Sequence, residues 1–248
     1  MANKDFSSGR YSRFVILPSI GEKGMKKIRK ARATIVGAGG LGSVSAVQLT
    51  ALGIGSLRII DKDIVELSNL QRQMLYREKD IGKPKVLAAK EFLNELNPEV
   101  TIEIVQEEIT KENVSRAIKN VDFVVDALDH FTPRFVVNEA CLRENIPFLF
   151  GAVSGLNGNT MTITRGSTCI QCLFKHVENK KLPTTKETGI HPSIIQIIGS
   201  LQIAEATRIM VNEKPQLLNK LLFCDIGSMQ FETINVINNP NCICQKYH

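Results

Sequence analysis

Short apolar runs and stretches of helical period alternate along the first half of the chain. Thr34-Ile35-Val36, Leu57-Arg58-Ile59-Ile60 and Val121 to Ala127 read as buried strands, and Thr101 to Val105 alternates as a strand does. Between them Ser43 to Leu52, Pro84 to Leu96 and Lys111 to Lys119 read as helices. Ser43, Ser45 and Ala46 are small enough for close packing of the first helix on a sheet, and Gly53 is placed to end it. Pro84 stands at the first turn of the second helix and Asn97-Pro98 stops it. Ahead of the first strand, Met1 to Gly9 is polar, Arg10-Tyr11-Ser12-Arg13 opens an amphipathic segment, and a basic helix is predicted through Arg32.

The second half has a different rhythm. Phe148 to Ala152 and Thr160 to Thr164 read as strands around a turn region of Gly155, Asn157, Gly158 and Asn159. The run from His176 to Gly189, rich in Lys, Asn, Thr and Pro, reads as a long loop. Pro192 to Val211 is a strongly apolar helix, interrupted by Gln196, Gln202, Glu205 and Arg208, which makes it a core helix rather than a membrane span. Leu221 to Asp225 and Gln230 to Val236 are the last predicted strands. The whole pattern is α/β: a Rossmann-like parallel sheet with helices on both faces.

Chemistry enters at the end of the first strand. Gly37-Ala38-Gly39-Gly40-Leu41-Gly42 has the spacing that lets a backbone approach a phosphate, with free N–H groups of the following helix behind it. Asp61 closes the next strand about twenty residues on, where an acid can bond ribose hydroxyls. By itself this indicates a nucleotide, and a dehydrogenase would fit. Ser68-Asn69-Leu70-Gln71-Arg72-Gln73 changes the balance, because an arginine and two amides beyond the ribose acid suit a triphosphate better than a dinucleotide. Lys85, in a first helical turn where a cation opposes the dipole, points the same way.

Together with Ile81-Gly82-Lys83-Pro84-Lys85 and Val125-Asp126-Ala127-Leu128-Asp129, these residues resemble the MoeB/ThiF/HesA family, relatives of ubiquitin-activating enzymes. The resemblance runs from Arg10 to the last cysteines. It implies one adenylation domain over 1–248, with an N-terminal arm (1–30), a nucleotide-binding half (31–150) and a largely antiparallel acyl-acceptor half (151–248) that includes a crossover loop at 176–189. It implies ATP on Gly37, Gly39, Gly40 and Gly42, Asp61 on the ribose, and Asp63, Asn69 and Gln73 beside the nucleotide. Arg72, Lys85 and a Mg²⁺ held by Asp129 would neutralise the phosphates. Arg13 would reach the neighbour's ATP across a homodimer. Asp126 is structural or functional on this reading, His130 replaces a common Asn, and Arg134 matches a family arginine near the nucleotide.

Six cysteines suggest metal or thiol chemistry before disulfides. Cys169-Ile170-Gln171-Cys172 and Cys242-Ile243-Cys244 make two thiolate pairs for a tetrahedral zinc site. The family's second pair is usually C-x-x-C, so the shorter C-x-C predicts strained or altered geometry there. Cys141 and Cys224 sit in apolar surroundings, as core cysteines do. In Pro183-Thr184-Thr185-Lys186-Glu187-Thr188-Gly189, Thr185 stands where the family often has an acceptor cysteine. A neutral alcohol does not form the thioester that a thiolate does. The chain is therefore expected to make an acyl-adenylate and leave its capture to a thiol or sulfide from a partner or small molecule. Two carboxylates remain open: the C-terminal glycine of a ubiquitin-like sulfur carrier, or a small acid such as the guanylylpyridinol precursor of the iron-hydrogenase cofactor.

Composition narrows the field modestly. At 248 residues and 43% hydrophobic the chain can bury a large core. Its formal charge of +6 is spread over scattered lysines with few aromatics, which does not indicate a nucleic-acid surface. With no signal peptide and no membrane span read in the sequence, a cytoplasmic protein is expected. A non-catalytic partner subunit normally loses phosphate-binding residues, and this chain keeps them all.

Overall fold

The structure is a computed structural model that describes residues 6, 9–174 and 185–247. Eight strands form one sheet in the order β3-β2-β1-β4-β5-β6-β7-β8. The strands β1 (Arg32–Val36), β2 (Ser56–Ile60), β3 (Thr101–Val105), β4 (Phe123–Asp126) and β5 (Phe148–Ser154) are mutually parallel. The strands β6 (Asn157–Ile163), β7 (Lys220–Asp225) and β8 (Gln230–Asn235) continue the sheet in antiparallel fashion. The strand order reverses direction between β1 and β4, and in such sheets the crevice at that point, outside the carboxyl ends, is where ligands bind.

Strand alternation divides the core in two. Ala33, Ile35, Leu57, Ile59, Phe123 and Val125 face one layer, packed by α2 (Gly21–Ile28), α3 (Gly40–Leu52), α4 (Lys85–Leu96) and α9 (Pro192–Val211). Val36, Ile60, Val124, Phe148 and Phe150 face the other, covered by α5 (Val114–Ala117), α6 (Phe131–Glu144) and α7 (Ile170–Phe174). The central strands β1 and β4 are thus sandwiched, which is why their sequences are nearly continuous in apolar residues, whereas the edge strand β3 alternates and exposes Thr101 and Glu103.

Among the described residues, α9 is the one helix long and apolar enough to cross a membrane, with a mean hydropathy of 1.3. Its polar residues are stitched into the fold. Gln202 donates to the carbonyls of Asp126 and Leu149, each at 2.8 Å, and Glu205 accepts from Thr162 Oγ1 at 2.8 Å and from the amide of Leu217 at 2.9 Å. A Cβ on Gly151 would lie 2.6 Å from the Gln202 amide, so glycine there makes room for the stitch.

Several sequence boundaries shift. The basic helix ends at Ile28, not Arg32, because Arg32 is already paired with Ser56 in the sheet. Of the helix expected at Lys111–Lys119 only the four-residue α5 forms. Asn157 to Asn159 are strand rather than turn: Ser154 pairs with Asn157, leaving Gly155-Leu156 as a two-residue turn, and Gly155 takes the positive φ of +59° that such turns demand. Thr185–Thr188 forms a short helix, α8, where loop was predicted; residues 176–184 of that predicted loop lie outside the described residues, as do most of residues 1–9.

Candidate active site

The four glycines after β1 do three different jobs. Gly37 has φ +99°, and a Cβ there would sit 2.4 Å from the carbonyl oxygen of Ala127 at the exit of β4. A Cβ on Gly42 would sit 2.1 Å from the carbonyl of Gly37, so this glycine lets α3 start close against the strand. Gly40 gives way to Ile195 of α9, whose Cδ1 would be 2.9 Å from a Cβ. Gly39, the N-cap of α3, faces open space, with Gln73 Nε2 at 3.8 Å the nearest neighbour among the described residues. Among the described residues no side chain caps the thirteen-residue α3, so its first-turn amides and the positive end of its dipole are available at Gly39 for an anion.

This sorting yields a paired expectation. Gly42→Ala will destabilise the fold by about 2 kcal/mol or more, as forced backbone overlap does. Gly39→Ala will unfold within about 1 kcal/mol of wild type and yet lose nucleotide affinity. Urea unfolding and titration with a fluorescent ATP analogue check both; equal losses of stability in the two variants would overturn the distinction.

Asp61 leaves β2 beside this loop, oriented by two backbone amides: Ala38 N–H donates to Oδ2 and Asp63 N–H to Oδ1, each at 2.7 Å. Tyr76 closes the loop from below, its hydroxyl donating to the Ala38 carbonyl at 2.7 Å. Burial pushes the Tyr76 phenol well up, and the charges of Asp61, Asp63 and Asp80 add to this, so it stays a donor. Lys85 opens α4 with its side chain 8% exposed, and its ammonium meets Asp63 Oδ2 at 3.0 Å. Asp63 is thus engaged with Lys85.

Asn69, buried, folds the next turn: its Oδ1 accepts from the Glu66 amide at 3.1 Å, and its carbonyl accepts from the amides of Arg72 and Gln73. The turn presents Arg72, half-exposed, with Nη1 on the Ser68 carbonyl at 2.8 Å. It also buries Gln73 to 4% exposure beside Gly39, with Oε1 lacking a hydrogen-bond partner among the described residues. Asp129 leaves β4 at the opposite lip, 79% exposed. The bond to Glu108 raises the Lys62 ammonium, and the charges of Asp63 and Asp129 add to this, so all three acids lie within electrostatic reach of one lysine. At the ends of β2 and β3, a cavity of about 420 Å³ has a mixed lining that includes Ile60, Val105, Ile109, Arg58, Glu107 and Arg116.

Two sequence candidates lie elsewhere. Arg13 sits on α1 (Ser12–Val15), which starts beside the far end of α3: the neighbouring Tyr11 hydroxyl would be 2.4 Å from a Cβ on Gly53, the helix C-cap. Thirteen residues of helix span about 20 Å, so the arm is anchored away from its own glycine loop. Arg134 is not open to the crevice. Its side chain is 3% exposed, its Nε is 2.6 Å from Oδ2 of fully buried Asp126, its Nη2 donates to the carbonyls of Leu128 and Gly151, and Phe131 and Phe150 cover its guanidinium.

On the α6 side of the sheet the four paired cysteines converge. Sγ of Cys169 is 3.5 Å from that of Cys242, Sγ of Cys172 is 3.6 Å from that of Cys244, and all four sulfurs lie within 4.8 Å of one another. Thiolates at about 2.3 Å around a tetrahedral zinc stand roughly 3.8 Å apart, so the donor set and spacing fit zinc. The shortened C-x-C pair is not splayed. The chain tightens into a 3₁₀ turn over Ile243–Tyr247, and this brings Cys244 inward. Cys141 and Cys224 are core residues, exposed 1% and 0%.

The ThiF family's sequence profile matches residues 11–246. The chain belongs to the ThiF family. It is 37% identical over 234 residues to the SAMP-activating enzyme E1 of Haloferax volcanii, covering 94% of this chain and 87% of that one. It is 40% identical over 210 residues to the sulfur carrier protein ThiS adenylyltransferase of Bacillus subtilis, covering 84% and 62%. Against the molybdopterin-synthase adenylyltransferase of Escherichia coli it is 32% identical, with 94% of each chain covered. Among solved structures, E. coli MccB with ATP superposes with a TM-score of 0.84 at 25% identity, over 96% of this chain and 74% of that one. Two of these relatives are named adenylyltransferases, and that class is also this protein's: it is an adenylyltransferase.

Within this ThiF-family site, sequence reading missed Tyr76 and the bond between Asp63 and Lys85. Tyr76 follows Gln73 by three residues, but nothing local marks its hydroxyl for a loop 38 residues upstream. The sequence reading put Asp63 beside the nucleotide, whereas the structure shows its carboxylate on Lys85.

Proposed function

We propose that this protein activates the C-terminal carboxylate of a ubiquitin-like sulfur carrier by ATP-dependent adenylation. The observation that carries it is the opening over Gly39, where an uncapped helix start meets Gln73, a buried amide with an orphan oxygen. An amide whose two ends can exchange places answers either a ribose hydroxyl or a phosphate oxygen. The names of the relatives from Haloferax and Bacillus support a protein carrier as the substrate.

On this reading adenosine lies over the cavity at the ends of β2 and β3, with its ribose on Asp61. The triphosphate crosses Gly39 towards Arg72 and Lys85. The carrier's carboxylate, already ionised, attacks the α-phosphorus; an O–P bond forms, the α–β bridging bond breaks, and pyrophosphate leaves with its electron pair. No general base is needed, so the positioned cations provide most of the rate by meeting charge as it spreads. Asp129, an exposed carboxylate at the lip, is the hard oxygen donor that would hold Mg²⁺, which when bound neutralises phosphate charge. Arg13, anchored far from its own loop, would serve the site of a second copy in a homodimer. Since Thr185 offers no thiolate, the acyl group passes to an external thiol or sulfide.

ATP–pyrophosphate exchange with a carrier ending in Gly-Gly tests the proposal. Exchange with that carrier is the expected result; exchange only with a small pyridinol carboxylic acid would replace the substrate, and exchange with neither would overturn the reading.

Cys169, Cys172, Cys242 and Cys244 would hold a structural zinc that ties the C-terminal segment to α7. Elemental analysis should find one zinc per chain. Cys244→Ser or chelation should lower the unfolding midpoint by roughly 10 °C, at about 2–4 °C per kcal/mol for a chain of this size. An unchanged midpoint after verified metal loss would rule out a structural role.

A further inference from the structure

We propose that Asp63 is a positioning residue, holding the Lys85 ammonium at the phosphate end of the site and binding no nucleotide itself. Lys85 needs such a partner. At the first turn of α4 its charge meets the positive end of the helix dipole, and with 8% of its side chain exposed it has lost most of its water. Asp63 Oδ2, 3.0 Å from Nζ, supplies the compensating charge.

The main chain fixes the same pair. The amide of Lys85 donates to the Asp63 carbonyl at 2.9 Å, Ile64 and Pro84 form an antiparallel bridge, and Val65 N–H donates to the Lys83 carbonyl at 2.9 Å. Residues 63–65 and 82–85 therefore form a two-stranded clip. Lys83, on the same clip, is taken by Asp80 at 3.3 Å and Glu91 at 3.2 Å, which leaves Asp63 to Lys85. The clip is tied in turn to the glycine loop, since Asp61 accepts from Asp63 N–H on one oxygen and from Ala38 N–H on the other. Loop, ribose acid and lysine are thus held in one frame. An ionised Asp63 accepts hydrogen bonds only and repels phosphate, so it acts on a triphosphate through the cation that it holds.

The inference rests on the adenylation reading for what Lys85 meets, and its test has one arm that does not. Lys85 acetylation by an N-hydroxysuccinimide ester, followed by peptide mass spectrometry, should run about fivefold faster in Asp63→Ala than in wild type. Asp63→Asn, whose amide oxygen still accepts from the ammonium but carries no charge, should fall between the two. In ATP–pyrophosphate exchange, Asp63→Ala should lose about tenfold in kcat while KM for ATP moves less than about threefold, with Asp63→Asn, which keeps the acceptor and not the charge, recovering part of the loss. Unchanged Lys85 reactivity in Asp63→Ala overturns the proposal. So does a raised KM at unchanged kcat, which would make Asp63 a direct nucleotide ligand. Absence of exchange in the wild type, with the acetylation difference intact, sinks the adenylation reading and upholds the tether.

Discussion

Arg134→Ala will cost this protein about 3–5 kcal/mol at neutral pH, because it strands a carboxylate in the core. Asp126 has no exposed surface, and Arg134 lies 2.6 Å from it while also bonding the carbonyls of Leu128 and Gly151. The pair thereby ties the exit of β4, after which Asp129 emerges, to the middle of β5. Burial pushes the Asp126 carboxyl up; Arg134 and the amides of Leu128 and Gly151 pull it back. Without Arg134, burial governs, and the folded-state carboxyl rises further above its unfolded value. An acid raised in this way contributes stability below its unfolded range and loses it as pH rises through the folded value. The deficit of the variant should therefore be largest near pH 8 and shrink towards pH 5. Urea unfolding at the two pH values measures this, with Arg134→Met as the variant that keeps the volume filled. A deficit that is the same at both pH values would show that the loss is packing and not charge.

Arg72→Ala should slow ATP–pyrophosphate exchange by roughly 10²-fold or more, the usual effect of losing one positioned charge-stabilising contact. Arg72 is half-exposed and, among the described residues, its side chain bonds the Ser68 carbonyl four residues back, so its removal should leave the fold intact. Asn69 and Gln73 keep the turn in place through their own bonds. Exchange and thermal unfolding on the same preparation separate the two effects. Near wild-type exchange in a folded variant would remove Arg72 from the chemistry.

Much of the α/β fold was legible because its signals are local. The glycine spacing, the apolar runs of β1 and β4, the proline at the start of α4 and the stop at Asn97 all act within a turn or two of the chain. The long helix Pro192–Val211 was read to the residue, since its interruptions by Gln202 and Glu205 fall where a buried helix can bond its polar groups. The boundaries that moved did so through pairing: Arg32 and Asn157 join strands because Ser56 and Ser154 lie opposite, which no local window reveals.

The sequence by itself determined the class of fold, the glycine-rich loop after β1 and the residue types gathered around it. Only the tertiary structure decided what each does: that Gly39 is open while Gly37 and Gly42 are filled by backbone, that Asp63 belongs to Lys85, and that Arg134 is a core strut. It also decided that Cys169 meets Cys242 across 73 residues, with Cys244 drawn in by a turn that the C-x-C spacing alone had seemed to strain. The physical reason is the range of the forces. Periodicity, capping and glycine conformation are set by near neighbours along the chain, whereas burial, ion pairing and steric fit depend on which distant segments the packed sheet brings together.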